Sequence, residues 1–343
     1  MMKVKILGAG SIGNHLANAA RSLDWEVHLC DISNDALKRT KNLIYPGRYK
    51  KWDERIKLYN NNKAPKGIYD IIFIGTPPDT HLPLALEAIK EHPKAICVEK
   101  PICGLNLEKI DRLNSELKKK KIRGFVGYDH VVGKAAVYAS KIFRENFTLN
   151  KIDYIEVEIK EHWKGIFDAH PWLDGPKDSY LGDFKKGGGA CAEHSHGINM
   201  WQHFANLCNA GKINKVFSSM KFEKNNSVNY DKFCLLNVET SNGLCGRIIQ
   251  DVVSTHHSKK LRVTGKGNFL EWICNQKKNL DAVVWFDGKK LRKKLFKKNR
   301  PEDFIQEMKH IKKNLKHFDA SPISIEKGFE TMLVIAAAHK SAK

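Results

Sequence analysis

A chain of 343 residues exceeds the length at which a single core usually stops growing, so two domains are expected. Its 42% hydrophobic and 9% aromatic content describes a packed globular protein and excludes a disordered one. The formal charge of +21 raises the question of nucleic acid, but lysine far outnumbers arginine and is spread along the whole chain. The densest basic run, Lys289-Lys290-Leu291-Arg292-Lys293-Lys294, has no interleaved aromatics, so solvated faces are expected and no nucleic-acid partner.

No apolar run reaches the roughly 18 residues that span a bilayer, and Met1-Met2-Lys3-Val4 leads straight into a strand-like segment. The expectation is a cytoplasmic protein with no membrane partner. Eight cysteines (Cys30, Cys97, Cys103, Cys191, Cys208, Cys234, Cys245 and Cys274) form no C-x-x-C pair, which fits reduced thiols.

Along the first third, apolar runs alternate with helical patterns, as in a parallel sheet with crossover helices. Strands are predicted at Val4–Gly8, Glu26–Cys30, Tyr69–Gly75 and Ala95–Glu99, with helices over Ile12–Leu23, Leu82–Glu91 and Leu107–Lys120. After Gly124 the pattern changes. Ile155, Val157 and Ile159 alternate with Glu156, Glu158 and Lys160, which predicts a strand with one solvated face. Further strands are predicted at Val216–Phe222, Phe233–Glu239, Leu244–Val252, Leu261–Gly265, Phe269–Cys274 and Ala282–Phe286, with helices over about His194–Leu207, Glu302–Phe318 and Ser324–Ser341. The expected fold is an α/β Rossmann domain over residues 1–124, followed by an α+β domain over 125–343 with a mostly antiparallel open sheet.

Gly8-Ala9-Gly10-Ser11-Ile12-Gly13 follows a strand and opens a helix. The first glycine permits the tight turn, the second lets a pyrophosphate approach the backbone, and the third lets helix and strand pack closely. Unpaired N–H groups at the helix start attract an anion, and Asp31 ends the next strand about 20 residues on. A carboxylate there accepts from a ribose 2′-hydroxyl and repels a 2′-phosphate, so NAD is favoured over NADP.

Two more strand ends carry Gly75-Thr76-Pro77-Pro78-Asp79-Thr80-His81 and Glu99-Lys100-Pro101, where open α/β sheets bind ligands. A lysine at a buried strand end is costly unless its charge is used, and a desolvated lysine serves as acid or base. The Lys100–Pro101 bond is a natural place for a cis peptide. Farther on, Glu161-His162-Trp163 to Tyr180 is rich in turns and aromatics, which suits the faces of a sugar; Trp163, Trp172 and Tyr180 are therefore substrate candidates. Tyr128, Asp129 and His130 follow the domain crossover and are placed to reach the same cleft, with Tyr128 a candidate contact. On a continuous helix Glu193, His196, Met200 and His203 would share one face, and a His–carboxylate pair would poise the imidazole as a base. No metal is expected there, since neither H-E-x-x-H nor a cysteine partner accompanies them.

Together, Gly8–Gly13, Asp31, Gly75-Thr76-Pro77 with His81, and Glu99-Lys100-Pro101 resemble the Gfo/Idh/MocA oxidoreductases. The resemblance extends through the C-terminal strands to the Ala336-Ala337-Ala338 helix. It implies cofactor contacts from Gly8, Ala9, Gly10, Ser11, Ile12, Gly13, Asp31, Gly75, Thr76, Pro77, His81, Glu99 and Lys100. The family's D-x-G-x-H-x-x-D motif is matched by Glu193, with His196 and Asn199 at its His-to-Asp interval, although Glu193 and His196 stand three apart where the family has four. That departure leaves the division of labour among Glu193, His194 and His196 open.

The resulting expectation is hydride transfer between NAD and a secondary alcohol of a sugar, sugar derivative or polyol. Lys100 and His196 would handle the hydroxyl proton and Glu193 would orient the histidine, with His194 and Asn199 as further substrate contacts. Two rivals stand beside it: an NAD-bound enzyme without net redox, cleaving glycosides through transient oxidation, and a non-catalytic NAD-binding sensor. An open sheet that needs a cover predicts a homodimer or homotetramer.

Overall fold

Six short strands form one parallel sheet in the order β3-β2-β1-β4-β5-β6. They are β1 (Lys3–Leu7), β2 (Glu26–Asp31), β3 (Ile56–Asn60), β4 (Ile71–Ile74), β5 (Ala95–Val98) and β6 (Arg123–Val126). The computed structural model describes residues 1–168, 170, 172–299, 301–315 and 320–342. Val4, Ile6, Val27, Leu29, Ile71–Ile74 and Ala95–Val98 are buried, as strands covered on both faces must be. The order reverses between β1 and β4, and the carboxyl ends beside that switch point are where such sheets bind ligands.

Around this sheet lie α1 (Ser11–Arg21), α2 (Asn34–Arg39), α3 (Tyr45–Tyr49), α4 (Pro78–Ala88) and α5 (Ile110–Lys119). Leu16, Ala17, Ala19 and Ala20 give α1 its buried stripe. A π-helical turn at Thr40–Ile44 joins α2 to α3. Neither β3, β6 nor the α2–α3 excursion was predicted: β3 and β6 are edge strands whose polar residues blur the apolar run.

The second sheet has eight strands in the order β14-β13-β12-β11-β7-β10-β9-β8. They are β7 (Tyr154–Lys160), β8 (Ile213–Lys224), β9 (Asn229–Thr240), β10 (Cys245–Asp251), β11 (Ser258–Gly265), β12 (Asn268–Lys277), β13 (Leu280–Phe286) and β14 (Leu291–Lys297). Only the β7–β10 pairing is parallel. The basic run expected as a solvated face is the edge strand β14, where lysines suit an edge that must not pair further. Its helices are α6 (Lys134–Asn146), α7 (Trp163–Asp168), α8 (Gly189–Glu193) and α9 (His196–Leu207). Helix α9 lies on the sheet: Trp201 Nε1 donates to Ile155 O at 2.9 Å, and a Cβ on Gly197 would stand 3.1 Å from Ile159.

Two helices close the chain, α10 (Glu302–Asn314) and α11 (Ile325–Ser341). The helix predicted over Glu302–Phe318 stops at Asn314, and 316–319 lie outside the described residues. Contacts divide the chain into Met1–Asp129 with Pro301–Gly328, and His130–Arg300 with Phe329–Lys343. The chain thus leaves the first unit a few residues past the expected crossover at Gly124 and returns to it at Pro301. The return is built by a His15–Phe304 ring stack at 5.1 Å and by Val126 N–H donating to Ile323 O at 2.9 Å.

Candidate active site

In the first unit the glycine turn has the geometry its sequence requires. Gly8 holds φ +101°, and a Cβ there would stand 2.7 Å from Gly75 O. On Gly13 a Cβ would stand 1.9 Å from Gly8 O, so any side chain would push α1 away from β1. A Cβ on Gly10 meets nothing within 4 Å, which leaves open the approach a pyrophosphate needs. Helix α1 has no side-chain N-cap and no acid in its first turn, so its positive end faces that opening. These features fit a dinucleotide.

Asp31 at the end of β2 accepts from Ala9 N–H through Oδ2 and from Ser33 N–H through Oδ1, both at 2.8 Å. The carboxylate is thereby held beside the glycine turn. Asn14 donates to Gly10 O at 2.7 Å, and Thr40 of the π turn donates to Ala9 O.

At the next two strand ends, Gly75 and Thr76 lead through Pro77, the N-cap of α4. His81 is fully buried with Nε2 at 2.7 Å from Thr76 O and Nδ1 at 3.0 Å from Pro101 O. Burial holds its imidazole below the ordinary histidine value. Predicted as a cofactor contact, His81 in fact ties the Thr76 turn to the Lys100-Pro101 turn. Lys100 follows β5, its bond to Pro101 is cis as expected, and Gly127 makes room for Glu99, since a Cβ there would stand 2.7 Å from Glu99 Oε2. Beyond Glu99, the fully buried Glu307 of α10 is pushed well above the usual carboxyl range, first by burial and then by the charges of Glu99, Asp129 and Asp303. Nothing in the sequence pattern marked Glu307 as other than a surface residue of an amphipathic helix. Tyr128, a predicted substrate contact, is fully buried.

In the second unit the predicted helix over His194–Leu207 is two elements. Helix α8 ends at Glu193; His194 and Ser195 turn the chain, and α9 starts at His196. The break places Glu193 and His196 on different helices, so their spacing of three is not a helical-face relation. Glu193 Oε2 accepts from Tyr180 Oη at 3.1 Å. The His196 ring stacks on His130 with centroids 4.3 Å apart and planes at 17°. Met200 is core, and His203 bonds Ser140 Oγ at 2.9 Å. His194 and Asn199 are buried.

Of the aromatic loop, Trp163 packs with Leu181, Ala190, Tyr230 and Val252 in a small core, Trp172 lies against His170 with ring centroids 5.2 Å apart, and Tyr180 reaches Glu193. Ala169 and Pro171 of that loop lie outside the described residues. Beneath α8, the fully buried Asp231 of β9 accepts from Cys191 N–H at 2.7 Å, and Gln250 donates to Cys191 O at 3.3 Å. Burial pushes the Asp231 carboxyl up to about 7. Gly189 at φ +81° exists for this carboxylate, because a Cβ there would stand 2.0 Å from Asp231 Oδ1. Asp231 escaped sequence reading because a lone aspartate in an alternating strand looks solvent-facing.

A parallel sheet of this order with a glycine turn at its switch point defines a dinucleotide-binding domain. Residues 2–128 match the GFO_IDH_MocA family, described as an oxidoreductase family with an NAD-binding Rossmann fold. The N-terminal unit is thus an NAD-binding Rossmann domain of the kind that family model describes. No curated protein matches it by sequence. Among solved structures it is similar to levoglucosan dehydrogenase in complex with NADH, at 14% identity and TM-score 0.78 over 99% of this chain and 96% of the other. It is similar to UDP-N-acetylglucosamine 3-dehydrogenase from Acidithiobacillus ferrooxidans at 12% identity and TM-score 0.74, covering 99% and 97%. GenD2 from gentamicin A biosynthesis, in complex with NAD, shares 14% identity with TM-score 0.76, covering 99% and 94%. Among the described residues no helix is long and apolar enough to cross a membrane.

Proposed function

We propose that the protein transfers hydride between NAD and a secondary alcohol of a sugar, sugar derivative or polyol. The observation that carries this reading is Lys100 at the end of β5, next to β4 and its Gly75 turn, in the same sheet as the dinucleotide turn. An amine at the strand end next to the dinucleotide turn suits alcohol chemistry. That structural neighbours include levoglucosan dehydrogenase and UDP-N-acetylglucosamine 3-dehydrogenase supports a sugar-like substrate.

NAD held at the glycine turn would supply the hydride acceptor or donor. The chain's own residues hold the substrate and move the proton. In the oxidative direction Lys100 or His196 accepts the hydroxyl proton as the carbon–hydrogen bond breaks, and Glu193, which accepts from Tyr180 Oη, orients the histidine. The first unit serves the cofactor and the second the substrate, with Trp172, Tyr180 and Asn199 as contacts. A panel of sugars, amino sugars, inositols and nucleotide sugars, screened for change in NADH absorbance, tests the reading. A glycoside that loses its aglycone without net NADH would support the non-redox alternative and overturn it.

Assembly and location follow from the same features. The outer face of the second sheet exposes Tyr154, Phe217 and Leu235, with Phe217 63% accessible, an apolar surface that a second copy would cover in a homodimer or homotetramer. Light scattering measures this directly, and a monomer at micromolar concentration would refute it. The free thiols support a cytoplasmic enzyme.

A further inference from the structure

We infer that Asp231 and Gln250 are positioning residues for the reaction, two side chains of the second sheet that grip the main chain of Cys191 and so aim Glu193. Asp231 Oδ2 accepts from Cys191 N–H at 2.7 Å, and Gln250 Nε2 donates to Cys191 O at 3.3 Å. Cys191 lies two residues before Glu193 on α8, a helix of five residues. One turn is too short to hold itself, since a helical nucleus fixes several residues for few hydrogen bonds. Its direction is therefore set from outside, at Cys191, by strands β9 and β10. The grip also belongs to the break before α9. In a continuous helix Ser195 N–H would bond Cys191 O, whereas here it donates to Ala192 O at 3.2 Å, and Gln250 takes up the Cys191 carbonyl.

Burial supports the same assignment. Asp231 and Gln250 are both fully buried, and a buried carboxyl or amide is unfavourable unless its hydrogen bonds are made. Leu236 and Val238 on β9 and Ile248 on β10 fill neighbouring buried positions with apolar groups, so packing alone does not call for polar side chains there. The backbone of the turn is fitted to its surroundings. A Cβ on Gly189 would stand 2.0 Å from Asp231 Oδ1, and one on Gly188 would stand 2.3 Å from Tyr180 O. The first of these glycines admits the Asp231 carboxyl, and the second admits the segment whose Tyr180 Oη donates to Glu193 Oε2 at 3.1 Å. Glu193 is thus held twice, its main chain through Cys191 and its carboxylate through Tyr180.

The role rests on Glu193 acting at the substrate, and a double-mutant cycle separates the two claims. Kinetics use the compound of the panel of sugars, amino sugars, inositols and nucleotide sugars that wild type turns over fastest; a silent panel overturns the functional reading and this role with it. Glu193→Gln should lower kcat, and wild-type turnover in that variant overturns the part given to Glu193 and the positioning role together. Gln250→Met keeps the length of the side chain and removes its donor. It should lower kcat about 5- to 50-fold with the KM for NAD within about threefold, the mark of a misplaced group and not of lost cofactor binding. In a Glu193→Gln background the same substitution should cost less than about a further twofold, because it acts through Glu193, whereas a purely structural residue would lower both backgrounds alike. Wild-type kcat in Gln250→Met, or the same fold-loss in both backgrounds, overturns the role. Should Gln250→Met lack a cooperative thermal transition, Asp231→Asn decides through the same cycle.

Discussion

Tyr180 Oη donates to Glu193 Oε2 at 3.1 Å, joining the aromatic loop to the last residue of α8. The pair explains why a turn-rich segment precedes the glycines at Gly187–Gly189: the loop returns to hold a carboxylate whose own helix is a single turn. Tyr180→Phe removes this hydrogen bond and keeps the ring. It should lower kcat by about three- to tenfold and cost about 1 kcal/mol or less of stability. Steady-state kinetics beside a thermal melt checks this, and a melt shifted by many degrees with unchanged kcat would assign the pair to folding alone.

Asp31 is expected to set the preference for NAD. Its two oxygens anchor Ala9 N–H and Ser33 N–H, so the carboxylate stands at the glycine turn before any cofactor arrives. Asp31→Ala removes the charge that repels a 2′-phosphate, and the NAD-to-NADP affinity ratio should fall by about tenfold or more. Fluorescence titration with both reduced cofactors reads the ratio. Equal preference before and after the substitution would refute the role.

Asp231 predicts a pH signature in stability. Burial raises its carboxyl from 3.8 to about 7, so between those values the folded protein holds a proton that the unfolded chain has released. Stability from this group is therefore full below about pH 4, falls as pH rises towards 7, and levels off above it. The span of roughly three units corresponds to about 4 kcal/mol at 1.36 kcal/mol per unit. Asp231→Asn should flatten this component, so denaturant melts of variant and wild type should converge or cross as pH rises from 5 to 8. Parallel curves across that range would show that the group does not titrate there.

What the sequence revealed and what it hid follow from the range of the interactions. The glycine turn, Asp31 and the strand-end Lys100-Pro101 are local patterns, with side-chain demands set by the residues beside them, and they were readable. The π turn that brings Arg48 to Ser11 was not, because its partner lies 37 residues earlier and no local period announces it. The break between α8 and α9 was hidden for a different reason. Glu193 through Leu207 has helical composition throughout, and the turn at His194-Ser195 is selected by what lies around it, such as Gln250 on Cys191 O and Trp201 on Ile155 O. Asp231 and Glu307 were invisible because burial of a carboxyl depends on the packing of other elements.

The decisive prediction concerns Lys100 and His196. Alcohol oxidation must release a proton as hydride leaves, and an unaided secondary alcohol does not give it up near neutral pH, so a group of suitable pKa must touch that oxygen. Lys100→Met removes the amine and keeps most of the apolar stem. The cis Lys100–Pro101 turn is tied by His81 to Pro101 O, a contact the substitution leaves in place, so the fold should survive. His196→Asn keeps a polar side chain without a base and gives up the ring stack on His130. Each substitution should lower kcat by about 10²–10⁴ while NAD affinity changes little, the pattern of an interaction used mainly in the transition state. Lys100→Met with nearly full turnover would overturn the mechanism. A silent His196→Asn would shift the proton-handling role to His194 or to Tyr180, whose hydroxyl already reaches Glu193.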